Sequence, residues 1–190
     1  MKIYDISQEL FSSRVFPGDK PATSHKVSEI SKGAMCNVTT LKMSVHHGTH
    51  VDAPCHFIDG GKTIDEMPLE RFIGQAKVVS VSKVLTAEQI DVMMADSPKK
   101  VLLRGDVELT EANAEQFVHY GVELLGIESQ SIGPVSNPQP VHMVLLGAEV
   151  IALEGLNLQD VPDGHYLLNA APLHLKGSDG APCRAVLIEL

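Results

Sequence analysis

Strands and helices alternate through the middle of the chain, and this order constrains the fold more than any other feature. Four short apolar segments are predicted to be strands: 77–82, 100–104, 121–127 and 149–153. Three segments between them are predicted to be helices: 86–94, 110–119 and 141–146. Such alternation is typical of an α/β fold in which some of the strands pair in parallel.

Local signals mark where several of these elements begin. Thr86 is followed three residues later by Gln89, and the pair forms a capping box at a helix N-terminus. Thr110 is placed to cap the next helix. The segment 16–19, Phe-Pro-Gly-Asp, has proline and glycine at the two central positions of a turn. These signals support the predicted order of elements.

Further strands are predicted towards both ends of the chain: 2–7, 40–46, 165–169 and 184–190. In 40–46 the apolar residues Leu41, Met43 and Val45 alternate with polar ones, which indicates a strand with one buried face. His46 then lies on the polar face, where this strand ends. The strand-rich ends suggest a second sheet layer.

Size and composition indicate one globular domain over residues 1–190. The hydrophobic fraction is 44%, and the length of 190 residues suits one core. With 15 basic and 24 acidic residues the formal net charge is −9, which argues against nucleic-acid and anionic-membrane partners. No apolar run reaches the ~20 residues that span a bilayer. Three irregularly spaced cysteines and no signal-peptide pattern favour the cytoplasm.

The segment 46–56 concentrates side chains that bind metals or exchange protons. These are His46, His47, His50, Asp52 and His56, in a chain with nine histidines. Gly48 and Pro54 disfavour a helix. In an extended segment, positions 46, 50 and 52 project to the same side, so two imidazoles and one carboxylate converge. That set suits Zn²⁺ or a similar divalent ion, with residue 56 as a further ligand or a free imidazole.

Other interpretations of this segment are an exposed histidine-rich loop and a structural metal site. A structural zinc site favours several cysteines, and only Cys55 is nearby. A thiol nucleophile formed by Cys55 and His56 is disfavoured, because adjacent residues of an extended chain point to opposite sides. The sequence contains no Gly-x-Ser-x-Gly elbow and no Gly-x-Gly-x-x-Gly or Walker loop, which argues against serine hydrolases and nucleotide cofactors.

The motif His46-x-Gly48-Thr49-His50-x-Asp52-x-Pro54-x-His56-Phe57 resembles the signature of the cyclase family, whose best-known members are the bacterial kynurenine formamidases. The resemblance continues in four further stretches: 15–19, 125–129, 142–156 and 172–185. It implies a swivelling β/β/α domain and a homodimer in which the partner chain helps to close the pocket. It also implies hydrolysis of an amide bond in a small molecule.

The resemblance further implies two metal positions that share one carboxylate. The first position is held by His46, His50 and Asp52, and the second by Asp52, His142 and Glu154. His56 is implied to be the general acid/base rather than a tight ligand. The expected metal is Zn²⁺, as one or two ions, with Mn²⁺ as the alternative.

The substrate is less constrained than the metal chemistry. The first hypothesis is an arylformamidase that cleaves N-formylkynurenine to kynurenine and formate in tryptophan degradation. The alternatives are a hydrolase of another amide or lactone, such as isatin, and a non-catalytic metal-binding protein of the same fold. Glu128 stands where the family usually has Asp, and the stretch 129–134 also differs. Only five Phe and three Tyr are available to line a pocket for an aromatic substrate.

Overall fold

The computed structural model describes residues 1–189 and divides their strands between two sheets. In chain order the strands are β1 Ile3–Asp5, β2 Thr23–Ser28, β3 Val38–Lys42, β4 His50–Asp52, β5 Ile73–Ser80, β6 Lys100–Arg104, β7 Leu124–Ile127, β8 Ile151–Glu154, β9 Gly164–Asn169, β10 Gly180–Pro182 and β11 Val186–Glu189. The α-helices are α1 Ala87–Met94, α2 Glu111–His119 and α3 Gln139–Gly147. Within this part of the chain, no helix is long and apolar enough to cross a membrane.

Nine of these strands form a curled sheet in the order β1-β11-β9-β5-β6-β7-β8-β4-β10. Its centre, β5 to β8, is parallel, and α1, α2 and α3 make the three successive crossovers. The predicted α/β alternation is therefore confirmed. The strands β1, β9 and β11 pair antiparallel at one flank of this sheet, and β4 and β10 at the other. The separate second sheet consists of β2 and β3 alone, so most of the strands predicted near the chain ends join the main sheet.

Apolar side chains cover both faces of the central strands, because neighbouring residues of a strand point to opposite faces. On β6, Leu102 packs into one cluster with Phe72 from the segment before β5. Leu103 points the other way and packs with Ile90 of α1 and Phe117 of α2. A strand buried on both faces reads as a continuous apolar run, which is why β6 was predictable from its sequence.

The predicted strand over 40–46 is wrong in its extent and in its burial. The strand β3 ends at Lys42 and pairs only with β2, and His46 lies in a turn rather than at a strand end. Leu41 is 52% exposed, so the expected buried face is absent. The alternation does identify a strand, but it cannot specify which element covers the apolar face. Here β2 and β3 form a hairpin whose residues are mostly exposed.

The remaining predicted elements differ from the observed bounds by at most four residues at either end. Both predicted capping threonines are confirmed, since the Thr86 side chain accepts the Gln89 N–H and the Thr110 side chain accepts the Asn113 N–H. The turn at 16–19 is also present. Leu190, the end of the last predicted strand, lies outside the described residues.

The pairing of β4 with β8 brings two distant parts of the chain into contact. His50 lies opposite Glu154 in this antiparallel pair. The chain turns tightly at Gly48 just before β4 and at Gly155 just after β8, where φ is +68° and +67°. A Cβ atom on residue 155 would overlap the carbonyl oxygen of Gly48. Only glycine lets these two backbones approach so closely.

We predict that Gly155→Ala destabilises the protein more than Gly121→Ala. Both glycines have positive φ, so each substitution incurs a left-handed strain of about 1–2 kcal/mol. Open space surrounds Gly121, whereas Gly155 also faces a backbone clash, which adds about 1–3 kcal/mol. Urea unfolding of both variants measures the difference. Equal losses of stability would show that the backbone contact has no energetic role.

Candidate metal centre

All six residues singled out in the sequence lie at one site beside a cavity of about 270 Å³. Five of them line the cavity: His46, His50, His56, His142 and Glu154. Asp52 is buried and contacts three of these histidines. The side chains come from the turn before β4, from β4 itself, from a short 3₁₀ turn at Pro54–His56, from α3 and from β8. Their burial contradicts the interpretation of 46–56 as an exposed loop.

His50 and Asp52 form the floor of the site, and each is only 1% exposed. The Nδ1 of His50 lies 2.9 Å from the carbonyl oxygen of Gly48, which can only accept, so Nδ1 carries the proton. Nε2 then faces Asp52 Oδ1 and Glu154 Oε2, both at 3.4 Å. His50 Nε2 and Asp52 Oδ2 are buried without a hydrogen-bond partner. A cation between these groups would satisfy them.

His142 repeats this arrangement on the other side of Asp52. Its Nδ1 donates to the carbonyl oxygen of Pro138 at 2.8 Å, which leaves Nε2 to face Glu154 Oε1 at 3.2 Å and Asp52 Oδ2 at 3.6 Å. Glu154 is held in turn by the N–H of Ile132, at 2.7 Å. Asp52 therefore presents one oxygen to His50 and the other to His142, as a bridging carboxylate would.

A carboxylate that the sequence reasoning missed, Asp179, completes the site. It precedes β10, and its Oδ2 lies 2.9 Å from His46 Nε2 and 3.5 Å from His56 Nδ1. His46 Nδ1 is 2.7 Å from Asp52 Oδ1, and the rings of His46 and His56 stack with centroids 4.0 Å apart. Asp179 thus orients two imidazoles from outside. Its place in the resembling stretch 172–185 was the only available signal, and it specified no role.

The carboxylates make the centre strongly favourable for positive charge. Burial alone would lower the pKa of His50, but Asp52 and Glu154 outweigh burial and raise it to about 10. The same balance raises the pKa of His142 to about 10. Burial would raise the pKa of Asp52, yet the surrounding histidines hold it well below its usual value. His56 differs, because burial lowers its pKa and favours the neutral imidazole.

The donor set fits a divalent metal. Two groups bring three ligand atoms within 4.8 Å of one another, and they share Asp52: His46, Asp52 and His56, and His50, Asp52 and Glu154. Nitrogen and carboxylate donors of this kind suit Zn²⁺ and Mn²⁺. Neither His47 nor Cys55 belongs to these groups. The thiol of Cys55 points to the Ser178 carbonyl oxygen at 3.7 Å, which does not support a nucleophilic or structural-zinc role.

Glu128, the departure from the family pattern, links the loops that follow β6 and β8. Its Oε2 accepts the Gly105 N–H and its Oε1 accepts the Leu158 N–H, each at 2.8 Å. Within residues 1–189 it joins neither of the ligand groups. The longer side chain therefore spans two backbone segments and leaves the metal ligands unchanged.

Comparison with known proteins agrees with this geometry. A family model described as "Putative cyclase" matches residues 4–134. A kynurenine formamidase from Salinibacter ruber is 34% identical over 209 residues, which cover 98% of this chain and 97% of that protein. Isatin hydrolase A from Labrenzia aggregata, solved with benzyl benzoate, is 26% identical with a TM-score of 0.84, over 98% of this chain and 93% of that one.

A further solved structure, described as a potential metal-dependent hydrolase with cyclase activity, is 29% identical with a TM-score of 0.84 and covers 98% of this chain and 96% of its own. The fold and the site are thus those of a metal-dependent hydrolase. The chain belongs to the cyclase family, as its motif predicted.

We predict that His50→Ala loses metal binding, because it removes a ligand whose Nε2 has no other partner. The exposed His165 on β9 provides a matched control, and His165→Ala should bind as much metal as the unaltered protein. Both variants are loaded with Zn²⁺, desalted and analysed for metal per chain by mass spectrometry. Full metal content in His50→Ala would contradict its assignment as a ligand.

Proposed function

We propose that this protein is an arylformamidase that hydrolyses N-formylkynurenine to kynurenine and formate, a step of tryptophan degradation. The observation that carries the proposal is the buried His50, Asp52 and Glu154 set, which contains two unpartnered atoms and lies beside a cavity large enough for a small molecule. The similarity to a kynurenine formamidase over nearly the whole chain selects the reaction. The 26% identity to an isatin hydrolase makes isatin the second candidate substrate.

The proposed ligands form two sets: His46, His50 and Asp52 for one ion, and Asp52, His142 and Glu154 for the other. We propose Zn²⁺ as the metal, with Mn²⁺ as the alternative, and either one ion or two. When bound, such an ion would act as a Lewis acid and lower the pKa of a bound water to about 7. The hydrogen bonds from His50 to Gly48 and from His142 to Pro138 support these roles, since they use the Nδ1 atoms and direct both Nε2 atoms towards the carboxylates.

His56 is the proposed proton carrier. It faces the cavity, and its lowered pKa keeps the imidazole neutral near pH 7, so that it can accept a proton from the attacking water. It then delivers that proton to the nitrogen of the leaving amine. Asp179, 3.5 Å from His56 Nδ1, is placed to stabilise the protonated imidazole during this transfer. Stacking on His46 and edge contact with Phe57 fix the orientation of the ring.

The cavity walls suit an aryl amide. Phe16 and Phe57 line it, so two of the five phenylalanines lie at the site despite the low aromatic content of the chain. Gln130 and Ser131 add polar groups, and Asp19 adds a carboxylate outside the metal cluster. An apolar wall with few polar groups is typical of a site that orients a small aromatic ligand.

Parallel assays with two substrates test the proposed reaction. Protein loaded with Zn²⁺ or Mn²⁺ is given N-formylkynurenine and isatin, and we expect faster hydrolysis of N-formylkynurenine. Removal of the metal with a chelator should abolish turnover, and adding the metal back should restore it. Preference for isatin would favour the second candidate. Hydrolysis of neither would favour another amide or a non-catalytic metal-binding protein.

We predict that His56→Ala retains the metal and loses turnover by about 10²–10⁴-fold, the usual contribution of general acid–base catalysis. The reason is that His56 carries the proton, whereas the other groups hold the cation. Metal content and kcat are measured on the same preparation. A parallel loss of metal would instead place His56 among the ligands, as its proximity to His46 and Asp52 permits.

We further propose a homodimer that functions in the cytoplasm, with residues 1–190 acting as one domain. Exposed apolar side chains on the β2–β3 hairpin, Val27 and Leu41 among them, support a partner chain at this surface. The free thiols Cys36, Cys55 and Cys183 are consistent with a reducing compartment. Sedimentation of the purified protein tests the assembly.

A further inference from the structure

The metal-binding turn carries a second pair of buried polar residues, His47 and Thr49. They lie in the chain between the proposed ligands His46 and His50. Within residues 1–189 neither of them belongs to a group that could hold a metal. Their hydrogen bonds go to the N-terminal segment 8–13 instead. The turn therefore has a second set of contacts, separate from the metal cluster.

His47 binds this segment through one nitrogen. Its Nε2 lies 3.1 Å from the carbonyl oxygen of Leu10 and 3.2 Å from Ser13 Oγ. The hydroxyl of Ser13 donates its own proton to the same Leu10 carbonyl, at 2.8 Å. The hydrogen in both contacts must then come from His47, so Nε2 is protonated and offers no lone pair to a metal.

Thr49 makes the matching contact two residues further on. Its Oγ1 accepts the N–H of Gln8 at 2.9 Å and donates to the Gly155 carbonyl oxygen at 2.5 Å. Across the described part of the chain, these contacts of His47 and Thr49 are the only hydrogen bonds that join residues 8–20 to the rest of the protein. The position of this segment thus depends on the metal-binding turn.

The segment leads directly into the cavity wall. Only two residues separate Ser13 from Phe16, and both Phe16 and Asp19 line the cavity. The turn between them is closed by the N–H of Asp19, which donates to the carbonyl oxygen of Phe16 at 3.0 Å. Anything that releases Leu10 and Ser13 therefore also frees the side chains that face the substrate.

We propose that His47 is a positioning residue for substrate binding rather than a further histidine ligand. It holds segment 8–13 against the metal-binding turn, so that Phe16 and Asp19 keep their places in the cavity wall. The choice of assay substrate rests on the proposed arylformamidase function, but the contact between His47 and segment 8–13 does not.

Substitutions at His47 separate the possible roles. His47→Phe keeps a ring of similar size and removes the donor, whereas His47→Gln keeps an N–H donor at a similar reach. For His47→Phe we expect KM for N-formylkynurenine to rise about tenfold, with kcat nearly unchanged. A factor of about ten corresponds to the free energy that one hydrogen bond usually contributes. His47→Gln should restore most of the affinity. Ser13→Ala leaves the hydrogen bond between His47 and the Leu10 carbonyl in place, so it should raise KM by a smaller factor. This variant tests the proposal if His47→Phe does not fold.

Two further measurements do not depend on activity. Metal per chain should be equal in the unaltered protein, His47→Phe and His47→Gln. Amide hydrogen exchange should accelerate in peptides covering 8–20 for His47→Phe and stay unchanged in the buried strand β6. Loss of metal in His47→Phe, or unchanged exchange and unchanged KM, would overturn the proposal. If the unaltered protein hydrolyses no formamide, the proposed function fails, while metal content and exchange still decide the role of His47.

Discussion

The site depends on one pairing, that of β4 with β8. Val51 and Leu153 lie opposite each other in this pair and are buried in the same apolar cluster. Because side chains alternate along a strand, their burial turns His50 and Glu154 to the other face, towards the cavity. A register shift of one residue would reverse this arrangement and bury the ligands in the core. Ordinary core packing thus fixes the orientation of the groups that bind the cation.

The same pairing brings two negative charges together, and the rest of the site compensates them. Asp52 and Glu154 are both buried, and two carboxylates so close together require positive charge nearby. Protonated histidines can provide that charge, as the raised pKa values of His50 and His142 indicate. A divalent cation provides the positive charge while the histidine Nε2 atoms stay unprotonated and can act as ligands. The proposed ligands His50 and Glu154 are brought together only when β4 and β8 are paired, so that metal binding at this site would be coupled to folding.

Much of the fold was predictable because its signals are local. The strand β6 has an uninterrupted apolar centre at 101–103, and α1 and α2 begin at threonine caps that the structure retains. The failure at 40–46 has a physical cause, since periodicity reports an apolar face but not the element that covers it. The hairpin of β2 and β3 leaves that face exposed.

The site was predictable only in part for a related reason. His46, His50, Asp52 and His56 are close in sequence, so their clustering is visible before folding. The extended geometry used to align them was incorrect for His46, which lies in a turn and still reaches Asp52. His142 and Glu154 entered only through the family resemblance. Asp179 had no assigned role, because only the fold brings residue 179 within hydrogen-bonding distance of residue 46.

The adjacent histidines at 46 and 47 show how one short turn can serve two purposes. Their similarity in sequence suggests two ligands, but neighbouring side chains diverge, and only His46 reaches the carboxylates. His47 is directed to the backbone of Leu10. One short turn therefore joins a proposed ligand of the cation to the segment that carries Phe16. If His46 binds the cation and His47 positions segment 8–13 as proposed, metal binding and the shape of the substrate cavity are linked through adjacent residues of one turn.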